Sequence, residues 1–207
     1  MVIYKLSMLQ SKKKSFNQIK IHSQYSICEG ALKIENLKEY CKKNKIQSVG
    51  LSDTYNLSGA LEFSENISSV GTQPIIGSQV QFRFKNTYGL IPLIAKNYVG
   101  YKNIIELSSK AYLENTDNDQ PHCLIDDLIK YSDGIIVLSG SVSNLIGSIF
   151  NKGLVEELDE LIILLNKNFK ESFYLEIQRH GDKNETEFEI FNLNLSKKYD
   201  IPIIATN

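Results

Sequence analysis

His22 and Glu29 lie close together in the stretch Phe-Asn-Gln-Ile-Lys-Ile-His-Ser-Gln-Tyr-Ser-Ile-Cys-Glu-Gly, from Phe16 to Gly30. An imidazole and a carboxylate at such a spacing can hold a divalent cation or pass a proton. The imidazole can equally hydrogen-bond a neighbouring loop, and the residues alone leave both roles open. Glu176 and His180 form a second pair with acid–base potential, and they read as well as parts of a strand and the turn after it. Asp53 sits between Ser52 and Thr54 where a short apolar run ends. Arg179 carries the charge to meet a phosphate, and an exposed ion pair is its plainer role. His122 follows Pro121 in a polar loop and reads as a solvated side chain.

Such groups need elements to hold them. Phe16, Ile19 and Ile21 are interleaved with Gln18, Lys20 and His22, a pattern that predicts a strand over Phe16–His22 with one face packed. His22 then stands at the strand's end, followed by the polar loop Ser23 to Ser26 and a turn at Gly30. In α/β folds, functional groups collect where strands give way to loops. Helical spacing of Ile34, Leu37, Tyr40 and Cys41 predicts a helix over about 34–45. Val49 to Leu51 reads as a strand, and Leu57, Leu61 and Phe63 begin a helix that Gly71 closes. Residues 74–77 and 80–84 read as strands split by Gly77, with a turn at Asn86 to Gly89. Leu90 to Ala95 is a strand in which Pro92 signals an edge or a bulge.

A helix over about 98–113, a polar loop from Glu114 to Gln120 and a short helix from Leu124 to Tyr131 follow. Gly134 to Leu138 is an apolar strand, and helices are expected at about 143–150 and over Leu154–Asn166. Phe173–Ile177, Glu185–Tyr199 and Ile201–Ala205 read as strand, helix and strand. Near-continuous alternation of strands and helices predicts parallel strands with crossover helices, in a closed or nearly closed barrel.

Composition narrows the class. The chain has 207 residues, 42% hydrophobic and 23% charged, which suits one α/β domain. A net charge of −1 gives no overall basic footprint for nucleic acid, and Lys12, Lys13 and Lys14 read as a solvated cluster. Cys28, Cys41 and Cys123 form no Cys-x-x-Cys pair, which argues against a zinc finger or a disulfide framework. Residues 1–15 read as a leader too polar for a signal peptide, and no apolar run approaches the ~20 residues of a membrane span. The expectation is a soluble cytoplasmic protein with no membrane contact. The chain stops at Asn207 directly after an apolar strand, which suggests a fragment of something longer.

The order of motifs is specific. Ile21-His22-Ser23-Gln24-Tyr25-Ser26 is followed by Glu29-Gly30-Ala31, Leu51-Ser52-Asp53-Thr54-Tyr55-Asn56-Leu57 with Gly59, and Pro74-Ile75-Ile76-Gly77. Leu93-Ile94-Ala95-Lys96-Asn97, Gly100-Tyr101-Lys102-Asn103, Leu138-Ser139-Gly140, Glu176-Ile177-Gln178-Arg179-His180-Gly181 and Ile204-Ala205-Thr206-Asn207 complete the series. This series resembles the PHP (polymerase and histidinol phosphatase) domain, in the form that opens bacterial replicative DNA polymerase III alpha subunits. The resemblance covers 16–207 and implies a distorted (β/α)7 barrel with a cleft at the strand C-termini. It further implies zinc, manganese or magnesium ions and phosphoester cleavage in active members. For a member within a polymerase it implies DNA replication, with DNA met through the rest of the polymerase chain and a separate proofreading exonuclease subunit as partner.

Set against that pattern, this chain departs at most ligand positions. The first residue of the family's His-x-His pair is Lys20, whose charge repels a cation. Thr54 stands for the His after Asp53, Gln79 for the Glu after Gly77, Leu90 for the His opening the next strand, and Ser141 for the Cys or His after Ser139-Gly140. The final Asp-x-His would follow Asn207. Only His22 and Glu29 match ligand positions, with Asp53 a kept neighbour. Metal sites commonly take four or more donors. The expectation is a domain with no catalytic residues and no bound metal, serving as a structural and subunit-docking module truncated before its last motif. An active metal-dependent phosphoesterase or 3′ exonuclease, histidinol-phosphatase-like, is the alternative.

Overall fold

The computed structural model describes residues 16–114 and 120–206. The predicted leader with its lysine cluster, and most of the polar loop before Gln120, lie outside the described residues. The first elements are α1 (Ile34–Asn44), β1 (Ser48–Thr54), α2 (Ala60–Ser68), β2 (Gln73–Phe84), β3 (Thr87–Ala95) and α3 (Tyr98–Leu113). They are followed by β4 (Cys123–Leu124), α4 (Ile125–Lys130), β5 (Ile135–Leu138), α5 (Leu145–Asn151), α6 (Val155–Phe169), β6 (Phe173–Ile177), α7 (Glu185–Tyr199) and β7 (Ile203–Ala205).

The sheet runs β1-β2-β3-β5-β6-β7, with β4 beside the far half of β2. The strands are not all parallel as the alternation implied. β2 and β3 pair antiparallel through Phe84↔Thr87, and β3 and β5 are antiparallel too. Only Lys85 and Asn86 separate the Phe84↔Thr87 pair, with Lys85 at φ +51°. A parallel return needs a crossover of a dozen or more residues, so this turn leaves a hairpin as the one possible connection. The result is a mixed α/β sheet rather than an all-parallel closed barrel.

The sheet is nonetheless curled. Residues 18–21 pair with β1 on its free side, through Ile21 N–H to Gly50 O and Gly50 N–H to Gln18 O. They make isolated bridges there instead of the full strand expected over Phe16–His22. Laid flat, five strand spacings would separate this segment from β6 by roughly 24 Å. Yet Lys20 Nζ lies 2.6 Å from Glu176 Oε1 on β6. The two side chains meet across the inside of a curled sheet.

Helices cover the outer face. Val49 and Leu51 of β1 pack with Ile34, Leu37, Phe63 and Ile67 of α1 and α2. Phe82, Ile91, Leu93, Val137, Phe173 and Leu175 join the larger core under α3, α4, α5, α6 and α7. Because side chains alternate along a strand, the residues between these apolar positions turn to the inside of the curl. β2 is continuous where a break at Gly77 was expected. Gly77 instead permits a close approach, since a Cβ there would come within 2.5 Å of the Leu93 carbonyl oxygen. Pro92 lies inside β3, one residue past the Leu93↔Val137 pair that ends the ladder to β5, so its missing N–H breaks no bond to that strand. Asn97 caps α3 by accepting from Gly100 N–H at 2.9 Å, which sets the helix start that the spacing predicted. Among the described residues no helix is long and apolar enough to cross a membrane.

Candidate functional site

One cavity of about 380 Å³ opens on the inside of the curl, beside the ends of β5 and β6. Lys20, His22, Glu29, Gln79, Leu90 and Ser141 all line it, so the positions singled out by the motif pattern do converge in space. Thr54 joins them through Glu29, and Asp53 lies behind the loop.

The side chains are tied into a hydrogen-bonded net. Thr54 and Gln79 are register partners on β1 and β2. The Thr54 hydroxyl donates to Glu29 Oε2 at 2.6 Å, and the Gln79 amide lies 3.4 Å from that hydroxyl. Gln79 Oε1 accepts from Asn144 Nδ2 at 3.1 Å. That fixes the amide orientation and leaves Gln79 Nε2 to donate to His22 Nε2 at 3.2 Å. His22 Nδ1 therefore carries the proton and faces Ser26 Oγ at 3.3 Å, with Glu29 Oε2 3.9 Å away. Ser26 in turn donates to Asp53 Oδ1 at 2.7 Å. Both ring nitrogens are engaged by protein. Burial holds the His22 pKa below its ordinary value, and the nearby Lys20 charge adds to this while Glu29 opposes it.

Asp53 is 1% exposed and works as a brace. Besides Ser26, it accepts from Ser23 N–H and from Ser23 Oγ, each at 2.7 Å. On the other wall, Ser141 Oγ donates to Asn144 Oδ1 at 2.6 Å and meets Ser143 Oγ at 2.8 Å. Leu90 contributes no donor atom from its side chain.

Glu176 and His180 do not form an acid–base pair. Glu176 is buried against Lys20, while His180 is exposed at the cavity rim. Ligand atoms of His180, Asp182 and Glu185 lie within 4.8 Å of one another. However, the Glu185 oxygens accept the backbone N–H groups of His180 and Gly181 at 2.8 Å each, and these bonds hold its pKa below the usual carboxylate range. Arg179 makes a two-pronged exposed ion pair with Glu189, the plainer of its two roles. His122 is not solvated: it is 7% exposed, its Nδ1 lies 2.8 Å from Gln120 O, and its ring meets Tyr88 edge-on.

Sequence reasoning passed over Asn144 and Gln178, which also line the cavity, and the partnership of Lys20 with Glu176. Gln178 had a signal, since it lies two residues from Glu176, just past the end of β6, where strand alternation points to the same face. Asn144 had none beyond standing just before an apolar helix.

Known proteins give this geometry a context. The PHP domain family matches residues 18–180. DNA polymerase III subunit alpha of Haemophilus influenzae is 33% identical over 200 residues, which is 95% of this chain and 17% of that protein. The subunits of Caulobacter vibrioides and Vibrio cholerae are 32% and 34% identical, over 97% and 93% of this chain and 18% and 17% of theirs. The chain thus spans about one sixth of the length of these relatives. Among solved structures, a candidate metal-dependent phosphoesterase from Bifidobacterium adolescentis has a TM-score of 0.62 at 12% identity, covering 92% of this chain and 86% of its own. An amidohydrolase from Chromobacterium violaceum, with bound sulfate and no metal, has a TM-score of 0.59 at 10% identity, covering 93% and 87%. At such identities these two show the fold alone.

Proposed function

Since the chain belongs to the PHP domain family, we propose that it serves within a bacterial DNA polymerase III alpha subunit as a structural and subunit-docking module that holds no catalytic metal cluster. The placement in a polymerase is supported by relatives that match nearly the whole chain and continue far beyond it. Its partners are then the rest of the polymerase chain, DNA through that chain, and the proofreading exonuclease subunit, in the cytoplasm where replication takes place.

One observation carries the metal-free reading: His22, Glu29 and Asp53, the residues that match or neighbour the family's ligand positions, are already bonded within the protein. The family's zinc, manganese or magnesium ions would need carboxylate oxygens and imidazole lone pairs aimed at a common point. Here His22 Nε2 accepts from Gln79, Asp53 accepts from Ser23 and Ser26, and Glu29 accepts from Thr54. Lys20 places an ammonium among them. The donor set does not fit a cluster of cations, and a net of hydrogen bonds, several of them to the carboxylates of Asp53 and Glu29, holds the loops instead. The rigidity that metal ions would confer on such loops then comes from protein–protein bonds.

The test uses the full-length chain. Elemental analysis after purification in the presence of Mn²⁺ and Zn²⁺ is expected to give less than one equivalent of metal. Hydrolysis of a generic phosphate monoester is expected at the rate of the no-enzyme control. Turnover that His22→Ala abolishes would establish the phosphoesterase reading instead. For docking, capture of the matching exonuclease subunit by the full-length chain, lost on deletion of this domain, is the expected result; undiminished capture would refute it.

A further inference from the structure

We propose that the ammonium of Lys20 is the resident cation between the two margins of the curled sheet, a tethered counter-ion for Glu176, and that deleting it leaves a site that takes a small alkylammonium ion from solution. The inference rests on the metal-free reading of the cleft and deepens it.

The pair is among the most secluded in the molecule. Lys20 Nζ lies 2.6 Å from Glu176 Oε1, and the two side chains are 5% and 0% exposed. The same oxygen accepts from Gln178 Nε2 at 2.6 Å and from the Thr206 hydroxyl. Three donors from three places meet on one atom: the segment beside β1, the end of β6 and the end of β7. These are the two margins of the rolled sheet, and among the described residues no backbone ladder joins them. Glu176 Oε2 is buried and has no hydrogen-bond partner.

A buried carboxylate with one oxygen unsatisfied is strongly unfavourable unless a full positive charge sits beside it. Gln178 and Thr206 supply dipoles only. Among the described residues Lys20 alone supplies the charge, so the seam's stability depends on one ammonium. A lysine is suited to this, because its head is a compact point charge that one carboxylate oxygen can hold, where a guanidinium would ask for two. Lys20 also lines the cavity while its tip touches Glu176. Truncation to alanine therefore opens a path from the cavity to the carboxylate, with the length and shape of the removed chain. The deleted fragment is n-propylammonium, which defines the ligand by size and charge.

Thermal unfolding of the full-length chain, followed at this domain, tests the idea. Lys20→Ala is expected to melt well below wild type. Added n-propylammonium chloride should recover part of the loss in a saturable way, whereas sodium chloride at equal ionic strength should not. Lys20→Ala/Glu176→Gln should show no such recovery. Should Lys20→Ala fail to fold, Lys20→Met/Glu176→Gln, which removes both charges, is expected to fold where Lys20→Met alone does not. The proposal is overturned if Lys20→Ala melts with wild type, if sodium chloride recovers it as well as n-propylammonium does, or if the double variant is no better than Lys20→Met alone. Stoichiometric Mn²⁺ or Zn²⁺ in the wild-type protein would instead refute the metal-free reading, whatever the Lys20 variants do.

Discussion

Asp53 grips Ser23 twice, accepting its backbone N–H on Oδ1 and its hydroxyl on Oδ2, both at 2.7 Å. A third bond comes from Ser26 Oγ at 2.7 Å. The loop that follows residues 18–22 is thereby locked to the end of β1, and His22 is aimed into the cavity as a consequence. Buried carboxylate bonds of this kind are each worth about 1.5–3 kcal/mol. Asp53→Ala is expected to destabilise the domain by roughly 3 kcal/mol or more, since it also orphans buried donors. Urea unfolding measures this, and an unchanged midpoint would show that the loop is held by other means.

The neutral state of His22 makes a pH prediction. Burial lowers its pKa in the folded protein, so the unfolded chain binds the proton more readily. Stability contributed by the neutral ring is present above the ordinary histidine range and is lost as pH falls through the lowered value. Denaturant unfolding between pH 7.5 and pH 5 should show a decline that is shallower in His22→Gln. Equal slopes in the two proteins would refute the assignment.

Gly77 should tolerate no side chain. A Cβ would lie 2.5 Å from the Leu93 carbonyl oxygen and 3.2 Å from that of Leu51, both backbone atoms that cannot rotate away. Gly77→Ala is expected to cost about 1–3 kcal/mol as the strands are pushed apart. A stability equal to wild type would mean that β2 and β3 can separate locally without penalty.

The cysteines should differ sharply in reactivity. Cys28 is exposed, whereas Cys41 and Cys123 are buried. Burial raises the Cys41 thiol and pushes Cys123 up to about 12. Brief treatment of native protein with a thiol reagent at pH 8 should label Cys28 alone. A thiol whose pKa is raised on folding supports the fold while it stays protonated, and that support is lost as pH climbs from the ordinary thiol range to about 12. Cys123→Ala should therefore lose less stability than wild type over the alkaline range, as read from unfolding midpoints.

Much of this molecule was legible in local sequence. The apolar spacing placed α3 at Tyr98–Leu113 and α7 at Glu185–Tyr199, because helical periodicity is set by neighbours a few residues away. The motif order singled out Lys20, His22, Glu29, Gln79, Leu90 and Ser141, and all six line one cavity. The β2–β3 hairpin had a signal in the turn expected at Asn86 to Gly89, although the structure turns earlier, at Lys85 and Asn86, and begins β3 at Thr87.

What sequence could not disclose was how the groups are used once they meet. Lys20 and Glu176 are 156 residues apart, and no local rule pairs them. Their contact exists because the sheet rolls until its margins face each other, a property of the summed twist of all its strands. The same holds for His122, which a polar neighbourhood made look solvated until Tyr88 of β3 folded over it. Residue types and spacing determined which chemistries were open to this chain. The tertiary structure decided that its carboxylates and imidazole face protein donors and a lysine, because a charge brought into a closed space is strongly unfavourable without a counter-charge or donors beside it.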